Sequence, residues 1–381
     1  MLPTGYLSTQ GSQIVDSRGR PVRIACIGGF GTNVADSPPD YYDVHYPFKG
    51  LDANIDALKR IGFNCVRADF NDKNANDPAM MAQFDALVVS CKKYGVKVIF
   101  DHHNNEATTK DWGNAAQQKN GLWFDSGPGT DGTDGAGDKG TITQDIFQQD
   151  WVAFAKHWAG NSTVIGFDLD NEPHTQYGHN SGNWGNGGPC DICAMYSQVG
   201  SAIQKVNPGA LIICESFCDV TDKSSLIWWS GELTHVPDHP VVLAIPDKLV
   251  YSVHEYPWEV SGQSPSHLDY GPTYINYMNV CWGFIVEQNI APIWVGEMGT
   301  SGNNPNDQAW AKTITDYMDG LAPGGPTFSG NQQPIGGDWW WWCSFPQAVP
   351  DGCLTDTGAV RPEQAQFIDA LLFRHQASKA R

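Results

Sequence analysis

Long apolar runs are missing from this sequence. No stretch approaches the roughly 18–20 consecutive apolar residues a membrane-crossing helix needs, which excludes a helical span in the given residues. Met1-Leu2-Pro3 lacks the basic start and apolar middle of a secretory leader, so the chain reads as a mature, soluble form. Basic residues are also scarce. Lys and Arg number 23 against 42 Asp and Glu, and the formal net charge of -19 repels nucleic acid and anionic membranes. The expected partner is therefore a neutral molecule. Neither an internal repeat nor a Pro/Ser/Thr-rich linker interrupts the chain, so residues 1–381 are expected to form one domain. A phosphate-binding loop is missing as well: Gly28-Gly29-Phe30-Gly31 does not have the dinucleotide fingerprint spacing.

What recurs is a short apolar strand followed by an amphipathic helix. The eight candidate strands are Val22 to Gly29, Phe63 to Phe70, Val96 to His103, Val164 to Asn171, Leu211 to Ser216, Leu249 to Tyr256, Ile293 to Gly299 and Trp339 to Ser344. Between the first two, Leu51 to Ile61 places apolar residues at three- and four-residue spacing and stops at Gly62, the pattern of a helix. Such alternation predicts a parallel sheet covered by helices. An open doubly wound sheet would alternate in the same way, but the missing phosphate loop favours a closed (β/α)8 TIM barrel with elaborated loops, an α/β fold.

Ten cysteines allow several disulfides. Cys190/Cys193, Cys214/Cys218 and Cys343/Cys353 are close enough in sequence to pair locally, whereas Cys26, Cys65, Cys91 and Cys281 sit in apolar contexts that suit buried thiols. Cys190-Asp-Ile-Cys193 could also be half a zinc site or a redox motif. It has no second ligand pair and follows a Gly/Asn loop, so a structural disulfide and an oxidising, extracellular setting are expected. The Asp/Gly-rich stretch Ser126 to Gly140 is too polar to pack and reads as a solvated loop; it lacks the EF-hand pattern.

Chemistry-bearing residues gather at the predicted strand ends: Arg67, Asp101-His102-His103, Asn171-Glu172, His254, Tyr256, Glu297 and Trp342. A barrel brings such positions together at one mouth. Glu172 and Glu297 each end a strongly apolar strand, where burying a carboxylate without a use is costly. A single such acid could be a structural ion pair. Two of them are the minimum equipment for cleaving a glycosidic bond, one to protonate the departing oxygen and one to attack or to activate water. A metal-dependent hydrolase would need His and Asp side chains converging on one point, but neighbours such as Asp101, His102 and His103 face alternate sides of a strand.

Five phrases, in order, resemble glycoside hydrolase family 5, whose barrels carry two catalytic Glu residues. They are Gly62-Phe63-Asn64-Cys65-Val66-Arg67, Asp101-His102-His103, Gly166 to His174 around Asn171-Glu172-Pro173, Val250 to Tyr256, and Asn289 to Glu297. The likeness covers most of the chain and is strongest to the endoglucanase, cellulase-like members. It implies a secreted, monomeric, retaining β-glycosidase with no cofactor and no metal, endo-β-1,4-glucanase-like on a β-linked glucan polysaccharide or oligosaccharide. The alternatives are another β-glucan, a mannan or a short glucoside as substrate, transglycosylation, or a carbohydrate-binding barrel without catalysis, against which the retained Glu pair argues. Glu172 would be the acid/base, Glu297 the nucleophile, and Asn171 the donor to the sugar 2-hydroxyl. Arg67 and Tyr256 would donate to Glu297, His103 and His254 would shape the subsite, and Trp342 would form the floor under the sugar. Trp112, Trp123, Trp184 and Trp258 are candidates for further subsites. The chain departs from the family pattern at Ala68-Asp69-Phe70, Asn104-Asn105 and Cys343-Ser344-Phe345-Pro346, all around the subsites and none at the carboxylates.

Overall fold

The computed structural model describes residues 5–29, 32, 50–105, 118–175, 180–218, 231–261, 269–300, 302, 304–339 and 359–371. A hairpin, β1 (Ser8–Gln10) and β2 (Gln13–Val15), precedes eight barrel strands: β3 (Ala25–Gly29), β4 (Cys65–Asn71), β5 (Lys97–Asn104), β6 (Val164–Asp168), β7 (Leu211–Glu215), β8 (Leu249–Glu255), β9 (Ile293–Met298) and β10 (Gly336–Trp339). Each barrel strand pairs in parallel with its neighbours, and β10 closes on β3. Seven of the eight expected strands are present where expected, and the eighth barrel strand shares only Trp339 with the run expected for it. The last begins earlier than expected, at Gly336, where the strand lies so close to its neighbour that a Cβ would run into the Ile24 carbonyl. Its expected continuation through Ser344 lies outside the described residues.

The helices are α1 (Leu51–Ile61), α2 (Asp72–Ala75), α3 (Pro78–Tyr94), α4 (Gln144–His157), α5 (Ile192–Val206), α6 (Trp258–Ser261), α7 (Pro272–Met278), α8 (Phe284–Glu287), α9 (Pro305–Met318) and α10 (Pro362–Leu371). Their starts follow from capping chemistry. The side chains of Asp77, Thr143, Asp191 and Asn304 accept from the first-turn amides of α3, α4, α5 and α9, and Pro78 and Pro305 occupy first-turn positions whose N–H has no intrahelical partner anyway. Helix α3 stops at Gly95, which takes the left-handed conformation that a Cβ would disfavour. None of the described helices is long and apolar enough to cross a membrane.

The period-two alternation of the strands divides the interior into layers. Outward residues such as Val66, Ala68 and Phe70 of β4 join the helices in the larger core, where Phe70 stacks on Phe154 of α4 at 4.3 Å and Phe100 on Trp158 at 5.0 Å. Inward residues near the strand starts, including Cys65, Ile99, Ile165, Leu211, Val250 and Trp294, fill the lower barrel, and Leu7 and Ile14 of the hairpin region seal that end. Further along the strands, the inward positions become Arg67, Asp101, Asp168, Glu215 and His254, all buried. An apolar floor thus supports a charged upper layer.

Cys26 and Cys65 sit opposite each other on β3 and β4, with Cα atoms 4.3 Å apart, and form a disulfide. This corrects the expected pairing: Cys190, Cys193, Cys214 and Cys218 are buried thiols, as are Cys91 and Cys281. Nearness in sequence misled because residues opposite each other on parallel strands meet across a long sequence separation. Cys190 and Cys193 instead face the carbonyls of Pro128 and His239. Cys343 and Cys353 lie outside the described residues. Ser126 to Gly140 is a loop as expected, organised by Asp134, whose Oδ1 accepts from the amides of Ala136, Gly137 and Asp138.

Candidate active site

Arg67 projects inward from β4 and is fully buried. Its Nη1 donates to Glu297 Oε1 at 2.8 Å, its Nη2 reaches Asn171 Oδ1 at 3.1 Å, Asp101 Oδ1 at 3.0 Å and Glu215 Oε1 at 3.0 Å, and its Nε donates to Asp168 Oδ2 at 3.1 Å. One guanidinium therefore organises five side chains from the ends of four strands, β5, β6, β7 and β9. Asp101, Asp168 and Glu215 are close enough together to suggest a cation site, but the Arg67 guanidinium already lies at its centre. Four carboxylates on one cation leave an excess of negative charge. Burial, and then the neighbouring Glu215 charge, push Asp168 well above the usual carboxylate range, against the pull of Arg67.

Glu297 lies on β9 with both oxygens engaged: Oε1 by Arg67 and Oε2 by the Tyr256 hydroxyl, which donates at 2.9 Å. Glu172 follows β6. Its Oε1 lies 2.9 Å from His254 Nδ1, and that nitrogen is 3.7 Å from Glu297 Oε2. Glu172 and Glu297 are only 4 % and 5 % exposed, so neither is a solvated surface acid. Burial pushes Glu172 up; the hydrogen bond with His254 opposes this, and the Glu297 charge adds to it. For His254, burial works against the cation, yet Glu215, Glu297 and the bond to Glu172 outweigh it and hold the imidazole well above its usual range. Protonated, it offers Nδ1–H to Glu172 while Nε2 faces Glu215 Oε1 at 3.1 Å.

Of the remaining expected residues, His103 and Asn171 also converge here. His103 Nδ1 pairs with Asp101 Oδ2 at 2.6 Å, and this charge outweighs burial to raise the histidine. Asn171 directs Oδ1 at Arg67, and its backbone N–H donates to the His102 carbonyl at 3.0 Å, which ties the chain after β6 to β5. Trp342 and Trp112 lie outside the described residues. Among the other tryptophans proposed for subsites, Trp123 and Trp184 are buried in the core between strands and helices, while Trp258 is 44 % exposed just past β8.

Sequence reasoning missed Glu215, Asp168 and Asp338. Glu215 ends its strand after Leu-Ile-Ile-Cys as Glu297 does after Ile-Trp-Val-Gly, so the same signal was present. Asp338 of β10 is buried with neither carboxylate oxygen hydrogen-bonded to a described residue, and burial drives it well above the carboxylate range. His102, by contrast, points out of the barrel, as alternation requires, with Nε2 2.9 Å from Asp72 Oδ2 and Nδ1 3.5 Å from Asp170 Oδ1.

Comparison with known proteins gives the geometry its context. The family model described as Cellulase (glycosyl hydrolase family 5) matches residues 15–344. An endoglucanase of Paenibacillus polymyxa is 29% identical over 347 residues, covering 82% of this chain and 77% of that protein. Endoglucanase G of Acetivibrio thermocellus is 26% identical over 303 residues, covering 70% of this chain and 50% of that one. In fold, the chain is similar to the endocellulase from Pyrococcus horikoshii solved with cellotetraose, with a TM-score of 0.73 at 22% identity over 97% of this chain and 100% of that one. With the family model spanning most of its length and a closed parallel barrel beneath the site, the chain belongs to glycosyl hydrolase family 5 and is a glycosidase.

Proposed function

We propose that the protein is a retaining endo-β-1,4-glucanase in which Glu297 is the nucleophile and Glu172 the acid/base. The observation that carries this reading is the gap between them: a carboxylate oxygen of Glu172, one of Glu297 and a ring nitrogen of His254 all lie within 4.8 Å of one another. Retaining glycosidases hold their two carboxyl groups about 5–5.5 Å apart, whereas inverting ones need about 6.5–9.5 Å to admit a water. The spacing here supports the retaining side of that divide. Glu297, oriented by Arg67 and Tyr256, attacks the anomeric carbon while the Glu172 proton passes to the departing glycosidic oxygen. Because Glu172 Oε1 faces His254, the proton it delivers sits on the other oxygen. In the second half, the Glu172 carboxylate takes a proton from water as that water attacks the anomeric carbon and frees Glu297.

Asn171, whose Oδ1 accepts from Arg67, is assigned the contact with the sugar 2-hydroxyl. The β-1,4-glucan substrate is supported by the endoglucanase relatives and the family. We assign Trp342 the floor of the sugar site, and we assign the chain one catalytic domain, a monomeric state and an extracellular location; the Cys26–Cys65 disulfide fits an oxidising compartment. The test is product analysis by mass spectrometry on β-glucans, mannan and xylan, with wild type, Glu172→Ala and Glu297→Ala. Cello-oligosaccharides from wild type alone are expected; release by Glu297→Ala at the wild-type rate would refute the assignment.

A further inference from the structure

One buried carboxylate touches both halves of the site without being either reacting group. Glu215 ends β7 and is fully buried. Its Oε2 accepts the backbone N–H of Glu172 at 2.7 Å. Its Oε1 lies 3.0 Å from Arg67 Nη2 and 3.1 Å from His254 Nε2. The other end of that guanidinium holds Glu297, and the other nitrogen of that imidazole faces Glu172.

The backbone of Glu172 explains why such a partner is needed. Its φ is +49°, in the left-handed region where a Cβ is disfavoured, and Asn289 is the only other described non-glycine residue with positive φ. A strained backbone persists only where its surroundings over-determine it. On the amide side that constraint is the charge-assisted bond to Glu215; on the carbonyl side His174 Nδ1 bonds Glu172 O at 2.7 Å. The left-handed turn carries the Glu172 side chain back toward His254 and Glu297.

We infer that Glu215 is a positioning residue for both carboxylates: one oxygen pins the backbone of Glu172, and the other ties Arg67 and His254 into the arrangement that brings Glu172 and Glu297 together. This rests on the acid/base and nucleophile roles proposed above. Beside an ionised Glu215, His254 keeps its proton. Burial opposes the Glu215 charge, but His254, Arg67 and the Glu172 amide bring that carboxyl down to about 2.

The test is Glu215→Gln, which keeps the volume and can still accept the Glu172 amide, alongside Glu215→Ala, which cannot. Both are read on cellotetraose and on 2,4-dinitrophenyl cellobioside, whose leaving group needs no proton. For Glu215→Ala, kcat on cellotetraose is expected to fall about 100-fold, the low end of general-acid contributions, with KM within about threefold, and the fall on the activated glycoside should be roughly tenfold smaller. Glu215→Gln should regain part of the loss. In both variants, the His254 ionisation seen in kcat/KM should move down toward the ordinary histidine range, as His254 loses one of its anionic partners. Equal losses on both substrates with an unchanged pH profile, in variants that melt like the wild type, would overturn the positioning role. If instead Glu172→Gln hydrolyses cellotetraose as the wild type does, the roles proposed for the carboxylates fail, whatever Glu215 does.

Discussion

Arg67→Met removes the cation on which the upper barrel layer is built while keeping an unbranched side chain of similar reach. The guanidinium's bonds to Glu297, Asp101, Glu215, Asp168 and Asn171, all between 2.8 and 3.1 Å, disappear with it. Deleting one partner of a buried ion pair costs about 3–5 kcal/mol, because the remaining charge stays desolvated and unpaired. That is a large share of a native stability of about 5–15 kcal/mol. At ~2.1 cal/mol/K of unfolding entropy per residue, the 381 residues lower Tm by about 4–6 °C for this destabilisation. The pH dependence gives the sharper signature. Without Arg67 the clustered carboxyls rise in the folded state, so folding is favoured while they are protonated and weakened as pH climbs through their raised values. In the wild type, Glu215 at about 2 works the other way: its contribution is present above the ordinary Glu range and lost as pH falls toward 2. The deficit of Arg67→Met, measured by calorimetry, should therefore be largest near pH 7 and shrink by pH 5. A Tm within about 1 °C of wild type, well below the shift expected from a buried pair, or an equal deficit at both pH values, would refute this reading.

Tyr256→Phe deletes one of the two donors on Glu297 without emptying the site. Hydrogen bonds to charged groups contribute about 1.5–3 kcal/mol, so kcat/KM on cello-oligosaccharides should drop roughly 10- to 150-fold with little change in Tm; a drop under about threefold would mean that the hydroxyl is idle in the transition state. Outside the barrel, burial opposes protonation of His102, but Asp72 and Asp170 raise it to about 10. This stabilisation is complete below the ordinary histidine range and is lost as pH rises toward that value. His102→Asn should therefore be less stable in urea at pH 6 and lose less between pH 7 and 10 than the wild type; parallel stability profiles would show that the pair contributes nothing.

The barrel was legible because its signals are local and periodic. Eight apolar strands, with helices ending at glycines such as Gly62 and Gly95, need no knowledge of tertiary contacts. The hairpin before β3 escaped notice because strands of three residues carry too little alternation. The residues at Glu172, Glu297, Arg67, Asn171, His254 and Tyr256 were readable as polar ends of apolar runs, and they meet as expected. What the sequence concealed is how charge is shared once they meet. Arg67 alone suggests one ion pair, whereas the closed barrel aims four carboxylates at it. Cys26 and Cys65 were misjudged for a similar reason: their apolar surroundings suggested thiols, and only the register of β3 against β4 sets them face to face.

The most direct test of the paired-carboxylate mechanism is the anomeric form of the first product, followed by proton NMR during hydrolysis of cellotetraose. With Glu172 and Glu297 as close as they stand here, the β-anomer should appear first and mutarotate slowly to the equilibrium mixture. If the α-anomer appears first, a water must stand between the two carboxylates during the reaction, and the double-displacement mechanism proposed here is wrong.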